Sequence, residues 1–236
     1  MKQKGLHVSC ISCTSRLKSV FCDISTDDLL HVNQFKGRYS YTKGSIIFHR
    51  ETAPLGVFII EKGKVKLHHP AGNGRDQIVR IAGDGDIIGH RALLTGQPHL
   101  TTAETLEETQ VCFISKELFY RLYGNNKSVH TQLLLLLAGN LAQAEKQMVS
   151  LTYKPVKARI AESLLLLKEK FGYAKENRML NICLSRQDLS SLSGTATETL
   201  IRNLLQMKEE GMIGLEGKKI LLPDISKLQL IAAGPR

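Results

Sequence analysis

Glycine recurs throughout positions 35 to 115, and the segments between the glycines are short and alternate apolar with polar residues. The clearest of these segments are SIIFHR, GVFIIEKG, KVKLHH, QIVRIAG and TQVCFIS. Short alternating strands with frequent turns are typical of β-sandwiches and jelly-roll barrels, and we expect no helix of normal length there. The sequence therefore predicts a jelly-roll β-barrel within a chain of 236 residues, which is long enough for a further domain.

The apolar period changes after the barrel segment. Over residues 126–153, apolar side chains recur at spacings of three and four, which indicates a long helix with one narrow stripe. The stripe consists of Leu134, Leu137, Leu141, Ala144, Met148 and Leu151. Such a stripe needs a partner surface, and we expect the same stripe of a second copy in a homodimer. Packing of the stripe on the chain's own β-domain is the alternative.

Pro155 breaks this helix, and the elements that follow have the order of a winged helix-turn-helix domain. KARIAESLLLLKEKFG predicts a helix that ends at Gly172, NICLS a short strand, and MIGLEGKKILLPD a two-stranded wing. The predicted fold class is α+β. Its domains are a cysteine-containing segment and β-barrel sensor domain at 1–125, a dimerisation helix at 126–153, and a winged helix-turn-helix at 154–236.

Two helices are predicted around a turn at Gly194 in the last domain. Ser185 is the expected N-cap of the first, with Leu189 and Leu192 facing inward, and the second is expected to bury Leu200, Leu204 and Leu205. The second helix then presents an outer face that can contact bases in a major groove. The candidate DNA-binding residues are Ser185, Arg186, Thr195, Thr197, Glu198, Thr199, Ile201 and Arg202. The alternative for Glu198 and Arg202 is a surface ion pair.

The overall charge agrees with a nucleic-acid partner, because the formal net charge is +10 and the pI is about 9.4. No signal peptide is apparent, and the longest apolar run, LLLLLA at 133–138, is far too short to span a membrane. We therefore expect a cytoplasmic protein without a membrane partner. In that reducing compartment, the five cysteines favour metal binding, redox sensing or burial over disulfides.

The segment LSRQDLSSLSGTATETLIRNLLQ resembles the helix-turn-helix of the family that includes the cyclic-AMP receptor protein and the fumarate and nitrate reductase regulator. This resemblance to the CRP/FNR family covers nearly the whole chain. It implies a homodimeric transcription regulator that binds an inverted repeat in double-stranded DNA and acts on RNA polymerase. It also implies that Glu198 and Arg202 contact the TGA part of each half-site.

The sequence GHRALLTGQPHLTTA resembles the family's cyclic-nucleotide cassette but departs from it at two positions. His90 stands where the family has a ribose-binding Glu, and His99 at or next to the phosphate-binding Arg. A neutral imidazole cannot replace a bidentate guanidinium, so we do not expect cyclic AMP to be the effector, whose identity stays unknown. The histidines are either loop and rim residues or part of a different ligand pocket, comprising Gly89, His90, Arg91, Ala92, His99 and Thr101.

Four cysteines resemble the ligand set of the family's oxygen sensor, although the Cys13 to Cys22 spacing is longer here. The residues concerned are Cys10, Cys13, Cys22 and Cys112. The resemblance implies a 4Fe–4S cluster; zinc and plain packing are the alternatives. Cys183, in the DNA-binding domain, is expected to be buried.

No catalytic motif is present, so the chain is not expected to be an enzyme. Two other functions stay open. One is a regulator that binds DNA without any effector. The other is a cupin-like metal-dependent barrel, which the scattered histidines 68, 69, 90 and 99 match poorly.

Overall fold

A computed structural model describes residues 9–70, 76–174 and 178–234 of the chain. Their contacts form two compact units. One holds residues up to 74 and 79–142, and the other holds 75–78 and 143–236. The division falls within the long helix, and each unit is described by itself below.

Eight short strands form two four-stranded sheets in the first unit, as the glycine-punctuated segment predicts. In strand order the sheets are β1-β8-β3-β6 and β2-β7-β4-β5, and the β1/β8, β3/β8 and β4/β7 pairs are antiparallel. This arrangement confirms the predicted jelly-roll β-barrel, called the roll below. The strands are β1 (Gly37–Tyr41), β2 (Ile46–Phe48), β3 (Gly56–Lys62), β4 (Val65–His69), β5 (Gln77–Ala82), β6 (Ile87–Ile88), β7 (Thr102–Thr105) and β8 (Thr109–Ser115).

Helices cover one side of the roll. Helix α1 (Thr26–Phe35) begins where Ser25 Oγ accepts a hydrogen bond from the Asp28 amide at 3.1 Å. Helix α2 (His90–Thr95) is short, and α3 (Lys116–Asn125) leads into α4 (Lys127–Tyr153). A core cluster joins the N-terminal segment, α1, α3 and the first residues of α4 to the sheet, through side chains that include Phe21, Leu29, Val57, Phe119, Val129 and Leu133.

Helix α4 uses one face for this core and leaves the other open. Val129 and Leu133 are 0% and 2% exposed, whereas Leu134, Leu141 and Met148 are 68%, 61% and 64% exposed. Val129 and Leu133 thus pack against the β-domain, whereas Leu134 and Leu141 of the stripe stay exposed, and the dimer interface stays a prediction. Among the described residues, no helix is long and apolar enough to cross a membrane.

The second unit contains three helices and a hairpin in the predicted order, followed by a helix that the sequence did not indicate. Gly172, at φ +66°, ends the first of these helices as expected. The elements are α5 (Val156–Phe171), α6 (Arg186–Ser193), α7 (Thr197–Glu209), β9 (Gly214–Glu216), β10 (Lys219–Leu221) and α8 (Ile225–Ala233).

Two predictions for the NICLS segment are wrong. Residues 181–185 form no strand, and the nearest pairing is an isolated bridge between Tyr173 and Leu180. Cys183 is exposed rather than buried, because the segment is extended and its inward positions are taken by Ile182 and Leu184.

Candidate nucleic-acid interface and sensor site

The first helix of the helix-turn-helix, α6, begins and ends at the predicted residues. Ser185 Oγ accepts a hydrogen bond from the Asp188 amide at 2.9 Å and so caps α6. Gly194 ends α6 in the left-handed conformation at φ +63°. Ser185 therefore has a structural role in holding the start of α6, whatever else it contacts.

The buried face of α7 differs from the predicted one at a single residue. Leu200 and Leu204 are buried, but Leu205 is 50% exposed and Met207 is fully buried instead. Positions 200, 204 and 207 lie on one side of a helix, whereas position 205 is turned about 100° away from 204. The prediction for Leu205 is wrong for this reason.

The opposite face of α7 is open to solvent. Glu198 and Arg202 are exposed and Ile201 is 41% exposed, and the three residues line one shallow surface with Leu205, Gln206 and Glu209. Among the described residues no ion pair joins Glu198 to Arg202, so the alternative of a surface ion pair is not realised. Thr195, Thr197 and Thr199 are half-buried, and the Thr197 hydroxyl lies 3.0 Å from that of Ser190 on α6.

Arg186 connects α6 to the wing. Its Nη2 donates to the carbonyl of Gly217, 2.8 Å away at the turn between β9 and β10, where Gly217 has φ +59°. Lys218 and Lys219 follow in the same hairpin and are exposed. Sequence reasoning missed these two lysines as candidate phosphate contacts, although a pair of basic residues in a predicted wing turn was a usable signal.

The cassette histidines lie inside the roll. His90 and His99 are 3% and 5% exposed, and the His99 ring stacks on Phe48 with 3.9 Å between centroids. His90 is the first residue of α2 and His99 lies in the loop between α2 and β7, but neither is a rim residue, because both side chains are buried. Gly89 starts α2 at φ +84°, Ala92 is buried, Thr101 is half-buried and Arg91 is exposed.

Burial makes these imidazoles poor anion ligands. Desolvation lowers the pKa of His90 to about 4, and the nearby charges of Arg80 and Arg91 act in the same direction. Desolvation also lowers the pKa of His99. Both rings are thus neutral at neutral pH and supply no fixed positive charge for a cyclic phosphate.

Three of the four predicted cysteine ligands share one cavity. Cys10, Cys13 and Cys112 line a space of about 40 Å³ between the N-terminal segment and the barrel, together with Lys36 and Glu61. Lys36 Nζ donates to Cys10 Sγ at 3.1 Å. Burial raises the pKa of the Cys112 thiol to about 12, so this thiol is protonated at neutral pH.

Cys22 does not line this cavity. Its Sγ donates to Asp23 Oδ2 at 3.3 Å. Burial, that hydrogen bond and the Asp23 charge raise the pKa of its thiol. The structure therefore brings together three of the four cysteines that sequence analysis grouped.

Comparison with known proteins identifies both units. The sequence model of the cyclic nucleotide-binding domain matches residues 38–126, and that of the Crp-like helix-turn-helix domain matches residues 158–231. The chain belongs to the CRP/FNR family of transcription regulators. It is a DNA-binding regulator, as the sequence predicted.

Individual relatives are similar over most of their length. The CRP-like cAMP-activated global transcriptional regulator of Mycobacterium tuberculosis is 27% identical over 190 residues, covering 80% of this chain and 84% of that protein. Electron transport regulator A of Shewanella oneidensis is 25% identical over 237 residues, covering 98% and 93%. The solved structure of FixK2 from Bradyrhizobium japonicum has a TM-score of 0.76 at 27% identity, covering 85% of this regulator and 99% of that chain.

The described thiols do not fit the cluster that the family resemblance implies. A 4Fe–4S cluster needs four thiolate ligands, whereas Cys22 is not at the cavity and a Lys36 ammonium contacts Cys10. The space holds only about one or a few water molecules. Within the described ranges, no three His, Cys, Asp or Glu side chains are grouped to hold a metal ion, which also disfavours zinc.

Proposed function

We propose that this regulator binds an inverted-repeat DNA site as a homodimer, with α7 of each copy in the major groove. The observation that carries the proposal is the division of α7 into two faces. Leu200, Leu204 and Met207 fix the helix to its own unit, and Glu198, Ile201 and Arg202 stay accessible. A helix anchored in this way presents its first turns to base edges.

Each exposed side chain has a matching base contact. The Arg202 guanidinium can donate twice to guanine O6 and N7, the Glu198 carboxylate can accept from cytosine N4, and Ile201 can contact a thymine methyl group. Because no ion pair joins Arg202 to Glu198 in the described chain, the guanidinium needs no internal bond to be broken. Arg186, tied to the wing, and Lys218 suit phosphates rather than bases.

The open stripe of α4 is the proposed dimer interface. Helix α4 has 27 residues, which correspond to about 40 Å of helix, and the exposed leucines and Met148 recur between Leu134 and Leu151. A symmetric pair of such helices removes this apolar surface from water and gives two DNA-binding units related by a two-fold axis. Half-site centres about 34 Å apart are then expected. RNA polymerase is the proposed further partner, on the family resemblance.

For the sensor, we propose a redox response of the thiol cavity in place of cyclic-nucleotide binding. Cys10, Cys13 and Cys112 face one small space, and hydrogen peroxide as two-electron oxidant would convert the Cys10 thiol to a sulfenic acid with release of water. This reaction changes the sulfur group that Lys36 contacts. The proposal needs neither a charged histidine nor a fourth cysteine. It is supported by the burial of His90 and His99, which leaves the cassette without a cationic phosphate ligand.

Substitution of Arg202 tests the DNA-binding proposal. Arg202→Ala should cost about 1 to 3 kcal/mol on the best duplex selected from a randomised pool, flatten the guanine preference, and leave random-sequence duplex binding nearly unchanged. The control, Lys218→Ala, should weaken binding to both duplexes alike and lower the salt slope by about one. If Arg202→Ala weakened both duplexes equally, Arg202 would be a phosphate contact and the assignment would be wrong.

Anaerobic purification tests the sensor proposal. The visible spectrum and the iron and sulfide analyses should show no cluster, and mild oxidation should change affinity for the selected duplex. Cys10→Ser should abolish that change, whereas the exposed Cys183→Ser, as matched control, should preserve it. Stoichiometric iron and sulfide would refute the thiol mechanism, and an oxidation-insensitive affinity would favour a regulator without effector.

A further inference from the structure

The last turn of α4 and Lys154, the residue after it, form hydrogen bonds with other helices of the DNA-binding unit. Lys154 Nζ donates to Glu162 Oε1 on α5 at 2.6 Å and to the carbonyl of Ala232 on α8 at 2.5 Å. Ser150 Oγ donates to the other oxygen of the Glu162 carboxylate. These residues all belong to the second unit, so the end of the long helix is part of its framework.

One side chain of this turn reaches the helix-turn-helix itself. Leu151 Cδ2 lies against Gly194, the residue at the turn between α6 and α7, and leaves no room there for a Cβ atom. The Leu151 carbonyl accepts a hydrogen bond from Arg159 Nη1 at 3.4 Å. The adjacent Ser193 hydroxyl, which is buried, donates to Ser163 Oγ on α5 at 3.0 Å. Gly194 is therefore required for space as well as for its positive φ.

Leu151 also belongs to the apolar stripe, yet its surroundings differ from those of Met148, the stripe residue before it. It is 40% exposed, against 64% for Met148 one turn earlier. The difference matches the placement of its methyl groups on Gly194. A side chain that only served the dimer seam would have no such contact within its own unit.

We propose that Leu151 is a positioning residue for DNA recognition: its contact with Gly194 fixes the start of α7 relative to the end of the dimerisation helix. The inference rests on the proposed function, because it matters only if two α7 helices must be presented to DNA from one dimer. It assigns Leu151 a role in specific binding that its place in the stripe does not require. Energetic coupling between sites of this kind usually changes affinity by about 5- to 150-fold.

Two single variants test the proposal in the full-length protein. Leu151→Ala should weaken binding to the selected duplex at least about fivefold and leave binding to a random duplex of the same length unchanged. Met148→Ala removes a similar apolar contact from the stripe and should not change the ratio of specific to non-specific affinity. Sedimentation at the concentrations of the binding assay must show dimers for both variants, so that loss of dimer is separated from loss of positioning.

A pair of glycine substitutions isolates the contact. Gly194→Ala introduces strain at φ +63° and a clash with Leu151, whereas Gly211→Ala introduces strain at φ +68° in open space. The loss of specific affinity in Gly194→Ala should exceed that in Gly211→Ala, and it should shrink in the Leu151→Ala background. Should Gly194→Ala fail to fold, recovery of folding in the double variant would show the same contact.

The outcomes distinguish this inference from the proposed function. Equal effects of Leu151→Ala and Met148→Ala, or equal effects of Gly194→Ala with and without Leu151, would overturn the positioning role. A wild-type protein that selects no duplex from the pool would instead refute the proposed function.

Discussion

The buried imidazole of His90 makes the free energy of unfolding of the first unit depend on pH. In the unfolded chain this histidine titrates near 6.5, whereas burial lowers its pKa to about 4 in the folded state. Between these values the unfolded chain binds a proton that the folded chain does not. Protonation therefore favours unfolding, and stability falls as pH drops from 6.5 towards 4.

The magnitude follows from the two pKa values. One pKa unit corresponds to 1.36 kcal/mol, so the difference between the two values changes the free energy of unfolding by about 3 kcal/mol over the whole pH window. Lowering the pH from 7 to 5 should remove about 2 kcal/mol of that stability. Since His90 is only 3% exposed, solvent screening reduces this figure little. His99 shifts in the same direction and adds to the total.

His90→Gln removes this titration and retains a polar side chain at the same position. Urea unfolding of the wild type and the variant at pH 7, 6 and 5, followed by far-UV circular dichroism, should show a steeper pH dependence in the wild type. The exposed His49→Gln is the matched control for loss of one histidine. Altered packing in His90→Gln is expected to change the free energy of unfolding by the same amount at every pH. This constant difference does not affect the comparison of the two pH dependences.

Carbon-13 spectra of histidine-labelled protein give a direct check. The His90 resonance, assigned by its absence from His90→Gln, should not titrate above about pH 5. A resonance that titrates near 6.5, or identical pH dependence of unfolding in the wild type and in His90→Gln, would refute the burial argument.

Three further predictions concern the interface, the effector and the thiols. Leu141→Lys places a charge in the centre of the stripe and should give monomers by sedimentation velocity. The control Gln143→Lys lies off the stripe and should leave dimers. A dimeric Leu141→Lys variant would contradict the proposed interface. Cyclic AMP at millimolar concentration should give no heat above dilution in a calorimetric titration, and a micromolar dissociation constant would contradict the cassette interpretation. A maleimide should label exposed Cys183 in the native protein but Cys112, whose pKa is about 12, only after unfolding; rapid native labelling of Cys112 would contradict its burial.

The order of helices and strands could be predicted because the sequence patterns that mark them are local. Alternating segments between glycines predict strands, a spacing of three and four predicts a helix, and Ser185 and Gly194 mark the ends of α6 from their own chemistry. Each of these preferences acts within a few residues of the chain. The order of these signals along the chain predicted the domains, and the family resemblance agreed with it.

Which face of a segment is buried could not be predicted where apolar residues are adjacent. In LLLLLA, Leu133 is 2% exposed and Leu134 is 68% exposed, although the two are chemically identical. Only the position of the neighbouring element decides which leucine is inside, and that is a tertiary property.

The burial of His90 and His99 could not be predicted from the sequence for a related reason. The ring that stacks on His99 is that of Phe48, which lies far away in the sequence, on strand β2. Histidine is compatible with a rim or with a core, so its type alone does not decide. The contact between Leu151 and Gly194 is likewise formed by residues far apart in the chain, and each had already been given another role by its local pattern.

One core cluster contains both a cysteine of the thiol cavity and the first buried residues of α4. Cys10, which lines the cavity, belongs to the same group of buried side chains as Val129 and Leu133, the two residues that hold the start of α4 against the barrel. Packed interiors are close to crystal density, so a larger sulfur group at Cys10 either fills the cavity of about 40 Å³ or displaces neighbours in that cluster. Helix α4 carries the open stripe beyond Leu133, and a displaced start would alter how the stripe meets its partner. The proposed redox response and the proposed dimer interface are therefore connected through contacts within the first unit, without a nucleotide in the cassette.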